Sequence, residues 1–147
     1  ESVKHLTPSV TGVYMPVSGS CRFTVYVSIK KRVPGEGKSA GMAALTANPN
    51  IKMAIVVDDD IDIYNEQQVL WSIGTTFEAD RDLAMIPGAM GSHLNPSAYG
   101  EVRTESGPMN TKVIIDATRP ATLPFETRIV PPKEAWDRTK LEDYIDG

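Results

Sequence analysis

Three short stretches carry residue types that could do chemistry. The first is Arg32-Val33-Pro34-Gly35-Glu36-Gly37-Lys38-Ser39, which ends as a nucleotide-phosphate loop ends. Such a loop needs G-x-x-x-x-G-K-[ST], because its glycines let successive backbone N–H groups curl around phosphates. The first glycine should stand where this chain has Arg32, and Pro34 has no N–H and a fixed φ. The stretch therefore reads as a strand-to-helix turn shaped by Gly35 and Gly37, with Lys38 in solvent. A weak anion site at the helix N-terminus is the residual alternative.

The second stretch is Asp58-Asp59-Asp60-Ile61-Asp62, placed where an apolar strand should emerge. Ligands of open α/β sheets gather at the carboxyl ends of strands. Clustered carboxylates there, Asp58 among them, could hold magnesium, or one of them could accept a phosphoryl group. Turn and helix capping by Asp62 and Asn65, with ion pairs to nearby bases, accounts for the same residues more simply. The third stretch is Gly91-Ser92-His93-Leu94-Asn95-Pro96, where a loop histidine titrates in a range suited to acid–base work. No second histidine or cysteine stands at ligand spacing, so zinc is not expected. His5 reads as solvated, and Cys21, with no base nearby in sequence, as a packing residue. A lone cysteine forms no disulfide within the chain, and the expected compartment is a reducing cytoplasm.

The elements that must position these residues follow from periodicity. Phe23, Val25, Val27 and Ile29 alternate with polar residues, predicting a half-buried strand, preceded by another over 12–17. Small residues from Lys38 to Ala47 predict a helix lying close to a sheet, ended by Asn48-Pro49-Asn50. Met53-Ala54-Ile55-Val56-Val57 is apolar without alternation, as in a strand covered on both faces. Asn65 and Gln68 form a capping-box variant for a helix carrying Val69, Leu70, Ile73 and Phe77 on one face. Trp71 points elsewhere and needs a second surface. Short strands are expected at 83–86 and 113–115, with an irregular stretch over 87–108 between them, and a polar helix over 133–145. The order predicts an α/β domain with a mainly parallel or mixed sheet between helices on both faces. It covers 1–120, with a helical tail at 121–147.

The totals bound the rest. The 147 residues are enough for one domain, and 41% of them are hydrophobic. A net charge of −4 without a basic stripe argues against nucleic acid, and no apolar run reaches the ~20 residues of a membrane span. The chain opens at Glu1 without an initiator methionine, so a processed or excised piece is expected.

Taken in order, the segments resemble a known family. Val56-Val57-Asp58-Asp59-Asp60-Ile61-Asp62-Ile63, followed by Val69-Leu70-Trp71-Ser72-Ile73-Gly74-Thr75-Thr76, resembles the "VVDDDIDV…VxWAxxTR" signature of the UbiD family. Arg81-Asp82-Leu83, Leu94-Asn95-Pro96-Ser97 and Lys112-Val113-Ile114-Ile115-Asp116-Ala117-Thr118 resemble its "RD(V/L)", "LDPS" and "sKxGIDAT". That family comprises prenylated-flavin-dependent decarboxylases of aromatic and unsaturated acids. The similarity covers its C-terminal domain only; the catalytic Glu–Arg–Glu trio belongs to the preceding portion.

The resemblance implies a piece that is not catalytic alone and binds no cofactor by itself. Prenylated FMN, with a divalent metal and a monovalent cation, is implied for the complete enzyme. The implied partners are a flavin-binding N-terminal portion or large subunit, a small-molecule acid, and further copies in a homo-oligomer. Leu94 is implied as an apolar pocket wall, with His93 and Pro96 beside it. The Thr76 carbonyl is implied near the monovalent cation, in a place where the family often has arginine. Trp71, Trp136 and Tyr144 are the expected subunit contacts.

Overall fold

The computed structural model describes residues 7–98, 108–126, 129 and 131–140. Five strands form one mixed sheet: β1 (Val10–Tyr14), β2 (Thr24–Ile29), β3 (Met53–Asp58), β4 (Leu83–Met90) and β5 (Met109–Ala117). Their spatial order is β1-β2-β3-β5-β4. The inner strands β2, β3 and β5 run parallel, while β1 and β4 pair antiparallel at the edges. Helix α1 (Glu36–Ala47) covers one face and α2 (Glu66–Thr76) the other. A short helix α3 (Ala79–Asp82) leads into β4, and α4 (Lys133–Arg138) follows the sheet.

The expected three-layer α/β architecture with a C-terminal helix is therefore the fold, and it explains why each strand reads as it does. Val25, Val27, Ile29, Ala54, Val56 and Ile114 meet α1, while Tyr26, Ile55, Val57 and Ala117 meet α2. Strand β2 is not half-buried as its alternation predicts. Its polar members Tyr26 and Ser28 are buried as well, because β2 lies inside the sheet and has a helix over each face. The Ser28 hydroxyl is paired with that of Thr11 at 2.8 Å.

Helix α1 runs along β5 in a matched register. Two strand residues advance about 6.6 Å and four helix residues about 6 Å, so side chains at i, i+2 meet helix positions at i, i+4. A Cβ on Gly37 would overlap the Asp116 carboxylate, and one on Gly41 would overlap Ile114 Cγ2. These two glycines exist so that the helix can lie directly on β5.

Helix α2 departs from the predicted face. Leu70 is 63% exposed, and the inward stripe is Val69, Ser72, Ile73 and Thr76, at i, i+3, i+4 and i+7. The hydroxyls of Ser72 and Thr76 each donate to the Ala117 carbonyl at 2.8 Å, which makes polar residues tolerable there. Asn65 caps this helix as predicted, accepting from the N–H groups of Gln67 and Gln68.

Strands β4 and β5 are longer than the sequence suggests. The irregular stretch begins only after Met90, and β4 bulges at Pro87-Gly88, where Gly88 has a φ of 69°. The far part of the stretch, 99–107, lies outside the described residues, as do His5, Tyr144 and the end of the expected tail helix. Cys21, expected in packing, is exposed in a turn with a φ of 50°, because the strand it precedes begins only at Thr24.

Candidate functional site

The residues singled out above divide between the two ends of the parallel strands. At the carboxyl ends lie Asp58, Asp116, Thr76, Trp71 and the Gly35 turn. At the amino ends lies the turn bearing His93, Leu94 and Pro96. Strand β3 separates the ends by roughly 20 Å.

At the carboxyl end the glycine-rich stretch is a helix entry. Gly35 is the N-cap with a φ of 87°, and Glu36 folds back to accept from the backbone N–H of Arg32 at 2.6 Å and of Val33 at 3.2 Å. The Arg32 N–H, followed by its guanidinium, holds the Glu36 carboxyl at about 2, below its usual 4.5. Lys38 is not left in solvent: its ammonium donates to the Arg81 carbonyl. The anion facing the first turn of α1 is the chain's own Asp116. Its carboxylate accepts from the Thr118 hydroxyl at 2.5 Å and N–H at 3.2 Å, with Lys31 at 4.0 Å. A cavity of about 380 Å³ opens beside these groups, lined by Lys31, Gly35, Lys38, Arg81, Asp116 and Thr118.

Asp58, 7% exposed, accepts from the N–H and Nε of Arg119 at 2.9 and 3.0 Å, and the same guanidinium reaches Asp60 at 2.7 Å. The acidic strand end is thus an Arg119-centred ion-pair network. Trp71, 38% exposed, Ser72 and Thr76 border a small cleft over it. The Thr76 hydroxyl is committed to the Ser72 and Ala117 carbonyls. Among the described residues, no three His, Cys, Asp or Glu side chains converge to hold a metal. The donor set at this end therefore does not fit a flavin-linked divalent ion.

Burial pushes the Asp58 carboxyl above the ordinary 3.8, against the downward pull of Arg119. The sign follows from linkage. A carboxyl raised in the folded state binds more protons folded than unfolded, so stability is lost as pH rises from about 3.8 through the folded value. Asp58→Asn is expected to gain stability relative to the parent between pH 4 and pH 7, measured as urea midpoints at both. A stability difference, variant minus parent, that stays constant or falls from pH 4 to pH 7 contradicts this.

At the amino end, residues 91–97 form two successive turns. Asn95 N–H donates to the Ser92 carbonyl at 3.0 Å, and Asn95 Oδ1 accepts from the Ser97 N–H and hydroxyl at 3.2 and 3.0 Å. Lys52 Nζ reaches the Ser97 hydroxyl from the start of β3 at 2.7 Å. Ser92 and Asn95 are buried, and this inner pair pushes His93, Leu94 and Pro96 outward. Leu94 is 65% exposed at the tip, an apolar side chain presented on a braced platform.

Buried Lys112, Asn110 and Asp116 on β5 went unread as functional or structural elements. Lys112 donates to the Pro49 and Ile51 carbonyls at 2.8 and 2.5 Å, closing the turn between α1 and β3. Alternation through Ile114 marks the face of β5 turned to α1, and only Lys112 and Asp116 stand in the family-like stretch quoted above.

The chain is thus a mixed sheet with helices over both faces, an apolar braced turn at one end and an arginine-clamped acidic cluster at the other. Residues 1–117 match the model of the 3-octaprenyl-4-hydroxybenzoate carboxy-lyase (UbiD) C-terminal domain, and the chain belongs to this family. It is 40% identical over 119 residues to anhydromevalonate phosphate decarboxylase of Methanothermobacter thermautotrophicus, covering 81% of this chain and 27% of that protein. It is 33% identical over 117 residues to gallate decarboxylase of Lactiplantibacillus plantarum, covering 76% of this chain and 24% of the relative. The UbiD-class enzyme HmfF from Pelotomaculum thermopropionicum, solved in complex with FMN, superposes with a TM-score of 0.79 at 36% identity. That match covers 98% of this chain and 31% of HmfF. The chain thus spans less than a third of each of these relatives. No helix among its described residues is long and apolar enough to cross a membrane.

Proposed function

We propose that this domain walls the substrate pocket of a UbiD-class decarboxylase and supplies contact surface for its assembly. The acid substrate is aromatic or α,β-unsaturated. The observation that carries the reading is the 91–97 turn, which buries Ser92 and Asn95 to present Leu94 outward beside His93 and Pro96. The relatives' names, one for anhydromevalonate phosphate and one for gallate, support decarboxylation without selecting between acids.

In the complete enzyme a prenylated flavin, with its divalent metal and a monovalent cation, supplies the electron-accepting chemistry that removal of carbon dioxide requires. The chain's own part is to hold the acid and exclude water with Leu94, which raises the effect of every charge inside the pocket. Thr76 offers its backbone carbonyl to the monovalent cation. Trp71 and Trp136, 38% and 63% exposed, serve as subunit contacts. The domain proper spans 1–120 and the contact tail 121–147.

The test is to assemble the chain with a flavin-binding UbiD-class portion and assay carbon dioxide release. Leu94→Asp is expected to lower turnover about 100-fold, the scale on which misplaced substrates lose rate. Assembly without turnover in the parent chain would favour a purely oligomerising domain. Turnover by the isolated chain would overturn the reading altogether.

A further inference from the structure

Asn110 is buried to 1% exposure, yet neither its Oδ1 nor its Nδ2 has a hydrogen-bond partner. The rest of that β5 face is accounted for: Lys112 closes a turn, Ile114 packs on Gly41, and Asp116 holds Thr118. A buried amide left unpaired is destabilising, while an apolar side chain of the same shape would be neutral or better. Such an exception calls for a reason outside the resting fold.

Its surroundings supply one. Asn110 pairs with Ala89 on β4, directly below the start of the 91–97 turn. A Cβ on Gly91 would stand 3.1 Å from Asn110 Nδ2 and 3.2 Å from the Pro108 carbonyl oxygen, a tight approach that would make these neighbours give by a few tenths of an ångström. The Gly91 N–H donates to that carbonyl at 2.9 Å. Among the described residues, four buried side-chain atoms lack a partner: Ser9 Oγ, Asn95 Nδ2 and both amide atoms of Asn110. Three of the four therefore lie in or under this turn. The turn is braced internally through Asn95 Oδ1 and joins the end of β4 at Gly91.

We propose that Asn110 is a positioning residue for Leu94, its carboxamide taking up a peptide group of the 91–97 turn when an assembled flavin-binding portion presses that turn inward. This rests on the reading of Leu94 as a pocket wall. The free chain holds the turn one step short of its working position, and assembly completes the hydrogen bonds that the free chain lacks. Asn110 touches no substrate; it acts through the turn.

The experiment compares the parent with Asn110→Leu and Asn110→Ala, free and assembled with a flavin-binding UbiD-class portion. In the free chain Asn110→Leu should melt at the same temperature or higher, since it removes two unpaired polar atoms. On assembly, hydrogen exchange at the 91–97 amides should slow about tenfold in the parent and not in either variant. Turnover in the variants should fall about tenfold at unchanged flavin content. A lower melting temperature for Asn110→Leu alone could come from overpacking, so Asn110→Ala carries the decisive exchange comparison. Equal slowing in parent and Asn110→Ala, or none in the parent, overturns the proposal. If Leu94→Asp leaves turnover intact while the exchange difference persists, the pocket reading falls and the Asn110 contact stands.

Discussion

Gly41→Ala is expected to destabilise the domain by about 1–3 kcal/mol, the usual cost of forcing a methyl group into a filled core. In a solvent-facing helix the same change would stabilise by ~1 kcal/mol, because alanine is the better helix former. The sign reverses here because a Cβ at Gly41 would run into Ile114 Cγ2. Ile114 is itself fully buried, so Ile114→Ala should cost about 2–5 kcal/mol through lost burial and the cavity left behind. The two changes should not add. With the Ile114 branch gone, Gly41→Ala fills part of the cavity and becomes neutral or favourable, a coupling of about 1–3 kcal/mol. Urea unfolding of the four proteins in the cycle measures it; additive costs would show that α1 does not rest on β5 at this point.

Asp116→Ala should cost about 3 kcal/mol, comparable to removing one partner from a buried charged pair. The change leaves the Thr118 N–H and hydroxyl without their acceptor and strands Lys31, whose side chain is only 11% exposed, with no carboxylate. Asp116→Asn keeps an acceptor for Thr118 and should lose markedly less. Asp116→Ala is also the one background in which Gly37→Ala should be tolerated, since the carboxylate is what occupies the space over Gly37. Thermal unfolding distinguishes the cases; a loss below about 0.5 kcal/mol for Asp116→Ala would mean the network is a solvated surface pair.

What could be read from the residues follows from where the information lies. Strand β3 was plain because burial on both faces makes its apolar run continuous, and the start of α2 because Asn65 caps it through local bonds. Strand β5 was legible only at its centre. Lys112 and Asp116 are polar residues made burial-worthy by partners 61 to 85 positions away, and Asn110 is left conspicuous without one, which no window along the chain reveals. Ser72 and Thr76 hid the inward face of α2 for the same reason: their partner is a carbonyl on β5. The Leu94 turn drew attention through its histidine, but a role for its apolar tip came only from family resemblance. Local chemistry does not say what an exposed leucine faces.

The interruption at Pro87 and Gly88 has a bearing on handling the domain by itself. Met85 and Met90 leave more than half of their surface open on the outermost strand, which would ordinarily invite a foreign strand to dock and seed fibrils. Pro87 offers no amide hydrogen and the bulge breaks the ladder halfway, so an incoming strand finds no uninterrupted template. Straightening that kink, rather than loosening the core, would be the route by which this polypeptide becomes amyloid-prone.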